Sequence, residues 1–401
     1  MSDVQLLFVV LAILYAWECL CWLRRGGVAF SSWLGRKWVA RHPAALAGNQ
    51  NGGFVFAAPM PPLGTLFVAH QLPLSFSPDG VLAFVAANVN SGWRPAQSGR
   101  FVPWSDVREA RARGKKLLIN GELLLHVATP GLARYLVSKI KRIAALRPDE
   151  RVRAIQDLVQ ASLDVKAIEA RRTDWHKQAR PICWLANLLV VFSFGIVPAL
   201  VWTLGFALTW LWLLLGLLGL ALTTATWFAR AHRGLYPDAR DERFTHTLTI
   251  ALAPTSAMRA HDTLSRPLLE TFHPLAVASV LLEARAFNEF ARRLLIDLRH
   301  PALPLCPNEQ PAALAAENFF RQTSLVSTET FLVRQGIEPA ALCRPPVLSD
   351  ESSRAYCPRC ETQFTSVDGR CTDCGGLALV AFEKAQLDAP SPGGPARQTF
   401  Q

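Results

Sequence analysis

Residues 182–229 read ICWLANLLVVFSFGIVPALVWTLGFALTWLWLLLGLLGLALTTATWFA and contain no Asp, Glu, Lys, Arg or His. The hydrocarbon core of a bilayer is about 30 Å thick and takes roughly 20 helical residues to cross. The stretch is therefore long enough for two crossings, and Gly195, Pro198 and Gly205 favour a turn between them. We predict a transmembrane helical hairpin with spans at 182–203 and 206–229.

A second apolar stretch opens the chain, from residue 4 to residue 23, and Glu18 is its only charge. No Lys or Arg precedes it and no small-x-small cleavage site follows it, so the pattern predicts an uncleaved anchor. Glu18 is an ionisable residue inside a span, which invites a functional hypothesis. It lies near the inner end, however, where it can meet Arg24 or Arg25 at the interface. The predicted fold is thus an integral membrane protein with three α-helical spans.

Basic residues beside the spans predict the orientation. None precedes the first span, whereas Lys and Arg follow it, precede the second span and follow the third: Arg24, Arg25, Arg36, Lys37, Arg41, Arg171, Arg172, Lys177, Arg180, Arg230, Arg233, Arg240 and Arg243. Because such residues concentrate in cytoplasmic loops, we expect the N-terminus outside and residues 24–181 and 230–401 inside. Residues 24–181 carry 24 Lys and Arg against 10 Asp and Glu. An anionic inner leaflet attracts such an excess of positive charge, so a nucleic-acid role is not needed to explain it.

Residues 53–146 have the pattern of several strands followed by one helix. Ser77-Pro-Asp-Gly80 and Asn120-Gly121 are the clearest turn signals between β-prone runs. Thr129 and Pro130 mark the start of the helix, whose apolar stripe is Leu132, Leu136, Ile140 and Ile143. With the segment Val102-Pro-Trp-Ser-Asp-Val107, this order resembles bacterial pleckstrin-homology-like (PH-like) domains that carry a PWSDI-type segment in membrane-anchored proteins of unknown function.

The resemblance is best from residue 72 to residue 143. It implies a small β-barrel capped by a helix, at a bacterial inner membrane. It implies no catalysis, and it leaves open whether the domain binds lipid. From the residues alone, we expect Trp104 to be a core residue and Asp106 a solvated strand end rather than ligand groups.

Helical patterns return after residue 147. Residues 148–180 predict one charged helix that leads into the second span, and residues 240–345 predict soluble helices at 273–300, 311–320 and 327–335. Glu270-x-x-His273 has the spacing found in carboxylate-bridged di-iron bundles. Such a site needs a second copy, which the sequence lacks, so we assign no metal to it.

Four of the nine cysteines form one motif, Cys357-Pro-Arg-Cys360 and Cys371-Thr-Asp-Cys374-Gly-Gly, with ten residues between the pairs. In a reducing compartment such a set favours metal binding over disulfides. Four thiolates suit tetrahedral Zn²⁺ in a closed, structural site, and the pattern resembles a zinc ribbon. A redox dithiol pair and an iron site of rubredoxin type are the alternatives. We predict structural zinc on Cys357, Cys360, Cys371 and Cys374, and no catalytic or cofactor-binding residues.

The sequence contains none of the common catalytic motifs: no phosphate-binding Gly loop, dinucleotide fingerprint, Gly-x-Ser-x-Gly elbow or His-Glu-x-x-His. We therefore expect a non-catalytic inner-membrane scaffold or adaptor that presents the PH-like domain and the ribbon to cytoplasmic protein partners. One alternative is a membrane-bound enzyme with its site in 240–345, which would gain if Glu270, His273, Glu283 and His261 converged in one pocket. Another is a membrane tether for nucleic acid, which would gain if the ribbon exposed aromatics beside Arg354, Arg359 and Arg370.

The predicted organisation is multi-domain, and the oligomeric state is left open. In order, it comprises a transmembrane anchor (1–23), a PH-like β domain (24–147), a connecting helix (148–181), the transmembrane hairpin (182–229), a helical segment (230–350), the zinc ribbon (351–385) and a disordered tail (386–401).

Overall fold

The structure is a computed structural model, and it combines helices with small sheets. It describes residues 29–31, 53–58, 65–70, 72–85, 98–204, 206–300, 311–350, 352–374 and 376–382, together with positions 5, 6, 9, 10 and 13. Those five positions of the predicted first span are helical. The remainder of that span, including Glu18, and the predicted tail at 386–401 lie outside the described residues.

The first sheet belongs to the helical core. Its strands are β1 (Ala29–Ser31), β2 (Gly53–Ala58) and β3 (Thr65–His70), with β1 parallel and β3 antiparallel to β2. Phe54 and Phe56 lie edge-on to Phe290, with ring centroids 5.3 and 5.8 Å away, and Phe67 lies 5.3 Å from Trp175. These strands therefore pack on helices and not on the strands that follow them.

Six further strands and a helix share a second core. The strands form two antiparallel sheets, β4 (Leu74–Phe76), β5 (Gly80–Val85) and β6 (Ser98–Pro103) in one, and β7 (Ala110–Arg113), β8 (Lys116–Ile119) and β9 (Glu122–His126) in the other. Helix α1 (Pro130–Ala144) packs on them, and its predicted stripe is confirmed because all four residues are buried. Its predicted start is also confirmed, since Thr129 Oγ1 accepts a hydrogen bond from Leu132 N at 3.0 Å.

The closed barrel predicted for this region is not found among the described residues, where the two sheets are separate hydrogen-bonded units. A 3₁₀ turn at Trp104–Asp106 follows β6 directly and interrupts the extended backbone before β7 begins. The predicted hairpin is confirmed: Asn120 and Gly121 have φ of 54° and 84° and connect Ile119 to its partner Glu122. A left-handed pair of this kind suits a two-residue hairpin loop.

The single helix predicted at 148–180 is wrong, because the chain forms helix α2 (Pro148–Ser162) and then starts helix α3 (Val165–Val191). The side chain of Asp164 accepts a hydrogen bond from Ala167 N at 3.1 Å, which caps the new helix. The charge-rich sequence hides this break because Asp164 serves both as a surface charge and as a cap.

The apolar stretch forms two antiparallel helical arms. Helix α3 continues through a π-helical turn at Phe192–Ile196 into α4 (Val197–Leu204), and α5 (Phe206–Leu235) returns beside them. A Cβ on Gly216 would lie 2.8 Å from the Phe192 ring, and one on Gly234 would lie 2.4 Å from Gln178 Oε1. Small residues on α5 therefore allow the arms to approach closely.

The two arms separate where the predicted spans place the turn, because α4 ends at Leu204 and α5 begins at Phe206, but Gly195 and Pro198 do not form that turn. Gly195 lies in the π-helical turn and Pro198 lies within α4, while Gly205 lies outside the described residues. Proline has no N–H to donate, and the π-helical turn just before it, where Val197 N donates to Phe192 O, lets the helix continue. By length and composition, two stretches are long and apolar enough to cross a membrane, Val165–Thr203 and Leu211–Leu235.

Seven helices follow among the described residues: α6 (Arg240–Leu252), α7 (Pro254–Met258), α8 (Ala260–Ser265), α9 (Pro274–Leu281), α10 (Ala284–Arg299), α11 (Pro311–Arg334) and α12 (Pro339–Leu342). The single helix predicted at 273–300 is wrong, because Leu282 is extended and separates α9 from α10. Both helices bury apolar faces in one core, so the apolar spacing runs across the break.

The two short helices predicted at 311–320 and 327–335 form one helix, α11. The Ser and Thr residues between the two predicted ranges do not interrupt it, and Thr323 Oγ1 donates to Phe319 O at 2.9 Å within the helix. The predicted end is confirmed, since Gly336 follows with φ of 75°. Ala313 and Ala316 of α11 pack against Leu82 and Phe101 of the second core's first sheet. The predicted domain boundaries stay a prediction.

Candidate metal centre

The C-terminal described residues fold as two small sheets around the two cysteine pairs. Strand β10 (Ala355–Tyr356) lies between β11 (Gln363–Phe364) and β14 (Val380–Ala381), and β12 (Arg370–Cys371) pairs with β13 (Leu377–Ala378). Cys357 directly follows β10, and Cys371 ends β12. Each pair therefore begins where a strand ends, so the short strands position the ligand turns.

Backbone hydrogen bonds close both turns. Cys357 N donates to Thr362 O at 2.9 Å, Glu361 N donates to Cys357 O at 2.8 Å, and Gly376 N donates to Cys371 O at 2.9 Å. Glu361 and Gly376 have φ of 61° and 81°. This left-handed conformation suits glycine and costs other residues energy. The positive φ therefore explains why glycine occupies position 376. Gly375 lies outside the described residues.

The four sulfur atoms lie within 4.8 Å of one another. The Sγ atoms of Cys360 and Cys371 are 3.7 Å apart, and a tetrahedral ion held at about 2.3 Å separates its thiolates by about 3.8 Å. Cys357, Cys371 and Cys374 are buried, and Cys360 is exposed. In the part of the chain that the structure describes, no other group of His, Cys, Asp or Glu side chains meets this spacing. The cluster is compatible with one metal ion of the thiolate-preferring kind.

The thiol pKa values explain why a cation suits the cluster. Burial and the neighbouring sulfurs raise the pKa of Cys371 to about 11, and they raise the pKa of Cys374 further. Burial opposes ionisation of Cys360 as well, but hydrogen bonds with Thr362 lower the pKa of Cys360 to about 7. Four thiolates this close repel one another strongly. A divalent ion would remove that repulsion and draw off the protons.

Ion pairs hold the first cysteine turn against helix α10. Arg359 Nη2 pairs with Asp297 Oδ1, while Arg359 Nη1 donates to Cys374 O at 3.2 Å. Arg292 of α10 pairs with Glu361. Burial raises the pKa of Asp297, and the Arg359 guanidinium opposes that rise. One guanidinium therefore links α10 to the backbone of the second cysteine turn.

The residues proposed for an enzyme site do not converge. Glu270 is 4% exposed and lines a cavity of about 440 Å³. His273 lies outside that lining, and its Nδ1 accepts a hydrogen bond from Leu275 N at 3.3 Å at the start of α9. His261 is buried beside Asp262, and Glu283 is exposed. Glu270 is thus the one member of that set at the cavity.

Burial raises the pKa of Glu270 to about 7. The hydrogen bond from Thr129 Oγ1 to Glu270 Oε2 opposes that rise, because it stabilises the carboxylate. Burial acts in the opposite sense on the imidazole and lowers the pKa of His273 to about 4. Near neutral pH, Glu270 therefore changes charge while His273 stays neutral.

Trp104 is a core residue, as predicted. It is buried, its indole Nε1 donates to Ser77 O at 2.8 Å, and its backbone N donates to Asp79 O at 3.0 Å. The guanidinium of Arg151 lies 5.9 Å from its ring centroid. Asp106 is exposed. The PWSD segment is therefore hydrogen-bonded to the Ser77–Gly80 turn, and its role is packing.

The aromatic residues of the ribbon do not favour nucleic acid. Tyr356 and Phe382 are buried with ring centroids 5.0 Å apart, and Phe364 packs beside the cysteines. Arg359 is engaged with Asp297. Within the described residues, the condition that would support base stacking is therefore not met.

No protein-family model, curated protein or solved structure matches this chain. Sequence reasoning missed two long-range contacts, Arg359 with Asp297 and Thr129 with Glu270, which are 62 and 141 residues apart. No periodicity or spacing in the sequence links residues so far apart.

Proposed function

We propose that this protein is a non-catalytic membrane scaffold, and the apolar surface of α3, α4 and α5 carries the proposal. Trp184, Trp202 and Trp212 are 69%, 76% and 73% exposed, and several Leu residues between them are also exposed. Monomeric soluble proteins rarely expose contiguous apolar surface on this scale. Lipid is the solvent in which such a surface is stable, so the hairpin is a membrane anchor in this proposal.

The second core is the proposed PH-like domain. Two three-stranded sheets capped by α1 support it, as does the buried Trp104 of the PWSD segment. Contacts of α11 with Leu82 and Phe101 hold the domain against the helical segment. In this proposal the domain is a fixed platform, and its exposed basic residues Lys141 and Arg142 face the anionic inner leaflet or an acidic protein partner.

The cysteine cluster is proposed to hold structural Zn²⁺. Four thiolate ligands saturate a tetrahedral ion and leave no position for water or substrate. A small ribbon buries too little apolar surface to fold without help, so the ion would supply its folding energy. Attachment to α10 through Arg359 would then present the ribbon in one orientation to cytoplasmic partners.

Topology is the direct test of this proposal. Cysteines would replace the exposed residues Lys116, Val333 and Trp202 one at a time, and intact bacterial cells would be treated with a membrane-impermeant maleimide. We expect Trp202→Cys to react, because it lies at the outer turn, and Lys116→Cys and Val333→Cys to react only after lysis. Reaction of either soluble position in intact cells would reject the cytoplasmic scaffold.

A further inference from the structure

The cavity beside Glu270 lies where five segments meet. The first turn of α1, the middle of α3, the last turn of α5 with the residues after it, the start of α6 and the segment at 267–271 line it. Its volume of about 440 Å³ is in the range of small-molecule sites. The metal centre and the membrane surface use none of these residues, so the cavity has no role in the proposed scaffold.

Glu270 is a buried carboxyl group, and its side chain occupies space beside Gly131. Its Oε2 accepts a hydrogen bond from Thr129 Oγ1, and within the described residues it forms no ion pair. A Cβ on Gly131 would lie 2.4 Å from Glu270 Oε1, so glycine at this position leaves room for that oxygen where it lies. Buried carboxyl groups ordinarily have a cationic or multiple hydrogen-bonding partner. This one accepts a single hydroxyl hydrogen bond, and Arg134 and Arg171 stabilise its charge without forming an ion pair with it.

His232 is a second polar residue that lines the cavity. It is 3% exposed, and its Nδ1 has no hydrogen-bond partner. Its ring lies 5.0 Å from that of Tyr236, which also lines the cavity and whose hydroxyl donates to Leu264 O at 2.7 Å. Aromatic faces beside a carboxylate are the surroundings that an ammonium group prefers.

The charges of the lining favour a cation. Four carboxyl groups line the cavity against two guanidinium groups. Arg134 pairs with Glu242 at 2.8 Å, while Arg171 donates to Leu268 O at 3.3 Å and lies over the Phe272 ring. Among the described residues the lining holds no group of three metal-ligating side chains close enough to chelate one ion. An organic cation therefore fits better than a divalent metal.

We propose that this cavity binds a small organic cation, with its ammonium group on Glu270 and against the rings of His232 and Tyr236. An ammonium group has two sources, a soluble amine or the headgroup of an aminophospholipid. The second is geometrically open because the cavity lies next to the last turn of α5, just past the predicted inner end of the span at 229.

The test is calorimetric titration of the full chain in phosphatidylglycerol nanodiscs, in phosphate buffer, with ethanolamine, choline and spermidine as probes. We expect at least one to bind, and Glu270→Gln to weaken that probe about tenfold or more, since a charge-assisted contact is lost while the hydrogen bond from Thr129 is retained. Glu283→Gln, an exposed carboxylate outside the cavity, should leave binding unchanged. Ethylene glycol, which has the size of ethanolamine without the charge, should not bind.

Repeating the titration in nanodiscs that contain phosphatidylethanolamine separates the sources. Loss of the soluble probe's binding there identifies a lipid headgroup as occupant, and unchanged binding identifies a soluble amine. If Glu270→Gln does not fold, the wild-type contrast between the amines and ethylene glycol decides. No binding by any probe in phosphatidylglycerol discs, equal binding of ethylene glycol, or full binding by a folded Glu270→Gln protein would overturn the proposal.

Discussion

The cysteine cluster and the Glu270 cavity are built from residues at very different separations along the chain. All four cysteines lie between residues 357 and 374, whereas the cavity draws its lining from residues 131 to 271 on several helices. The cluster needs two turns and an ion. The cavity needs α1, α3 and α5 already packed together, because Glu270 reaches Thr129 across 141 positions. A site whose ligands are close in sequence can fold locally when it binds its metal. A site whose residues are far apart in sequence forms only when the whole domain is folded.

Removing one metal ligand should have the largest effect and should stay within the ribbon. Wild-type protein should hold one Zn²⁺ per chain, and Cys371→Ser should hold none, because structural zinc contributes about 10–16 kcal/mol to the folding of such modules. Metal analysis measures the loss. Hydrogen exchange should show the ribbon unfolded and the α1–α3–α5 region unchanged.

Cys343→Ser is the matched control, since this half-buried cysteine lies outside the cluster. It should keep its zinc. Wild-type protein without metal, or with iron and a visible absorption band, would contradict the structural-zinc proposal. Loss of exchange protection at α1 in Cys371→Ser would show that the folding of the α1–α3–α5 region depends on the ribbon.

Truncating the tryptophan of the PWSD segment should cost about 3–5 kcal/mol of unfolding free energy, as for other large buried aromatics. Trp104→Ala removes core packing and the hydrogen bond to Ser77 O. Trp184→Ala, at a position 69% exposed, should leave thermal unfolding in detergent nearly unchanged. Equal effects of the two variants would mean that Trp104 is not the core residue the structure describes.

The features predicted correctly depend on neighbours in sequence. The cysteine spacing, the Asn120-Gly121 hairpin, the Thr129 cap and the stripe of α1 each lie within one turn or helix. The errors arose where tertiary packing overrode a local signal: α9 and α10 share one apolar pattern across a break, and Pro198 continues a helix through a π-helical turn. Strands β2 and β3 pack on the helices because Phe54, Phe56 and Phe67 contact aromatic residues far along the chain.

Acid should stabilise the protein through Glu270, and the size of that effect tests the cavity. Burial raises the pKa of Glu270 from 4.5 to about 7, so the folded state holds the proton more tightly than the unfolded state. The stabilisation is complete below about pH 4.5 and is lost as the pH rises through 7. It amounts to about 3 kcal/mol.

Glu270→Gln stays neutral throughout and isolates this term. In amine-free buffer, the unfolding free energy of Glu270→Gln relative to wild type should rise by about 3 kcal/mol between pH 4.5 and pH 8. The low pKa of His273 works in the opposite sense, with stability lost as the pH falls from 6.5 towards 4, but it is present in both proteins and cancels. Parallel pH curves would show that Glu270 is solvated.

The smallest expected effect concerns the contact between the ribbon and α10, which is where the locally built site meets the larger fold. Arg359→Ala removes the ion pair with Asp297 and the hydrogen bond to Cys374 O. Because both side chains of the pair are partly exposed to solvent, the loss should be about 1 kcal/mol. The variant should keep its zinc, since the four ligands are intact, while hydrogen exchange at α10 and at the first cysteine turn becomes faster.

Arg370→Ala is the matched control, because Arg370 is exposed on the ribbon and donates only within it, to Gly376 O at 3.4 Å. If Arg359→Ala lost its zinc as Cys371→Ser does, the docking contact would be part of the metal site. The ribbon would then depend on the rest of the chain just as the cavity does.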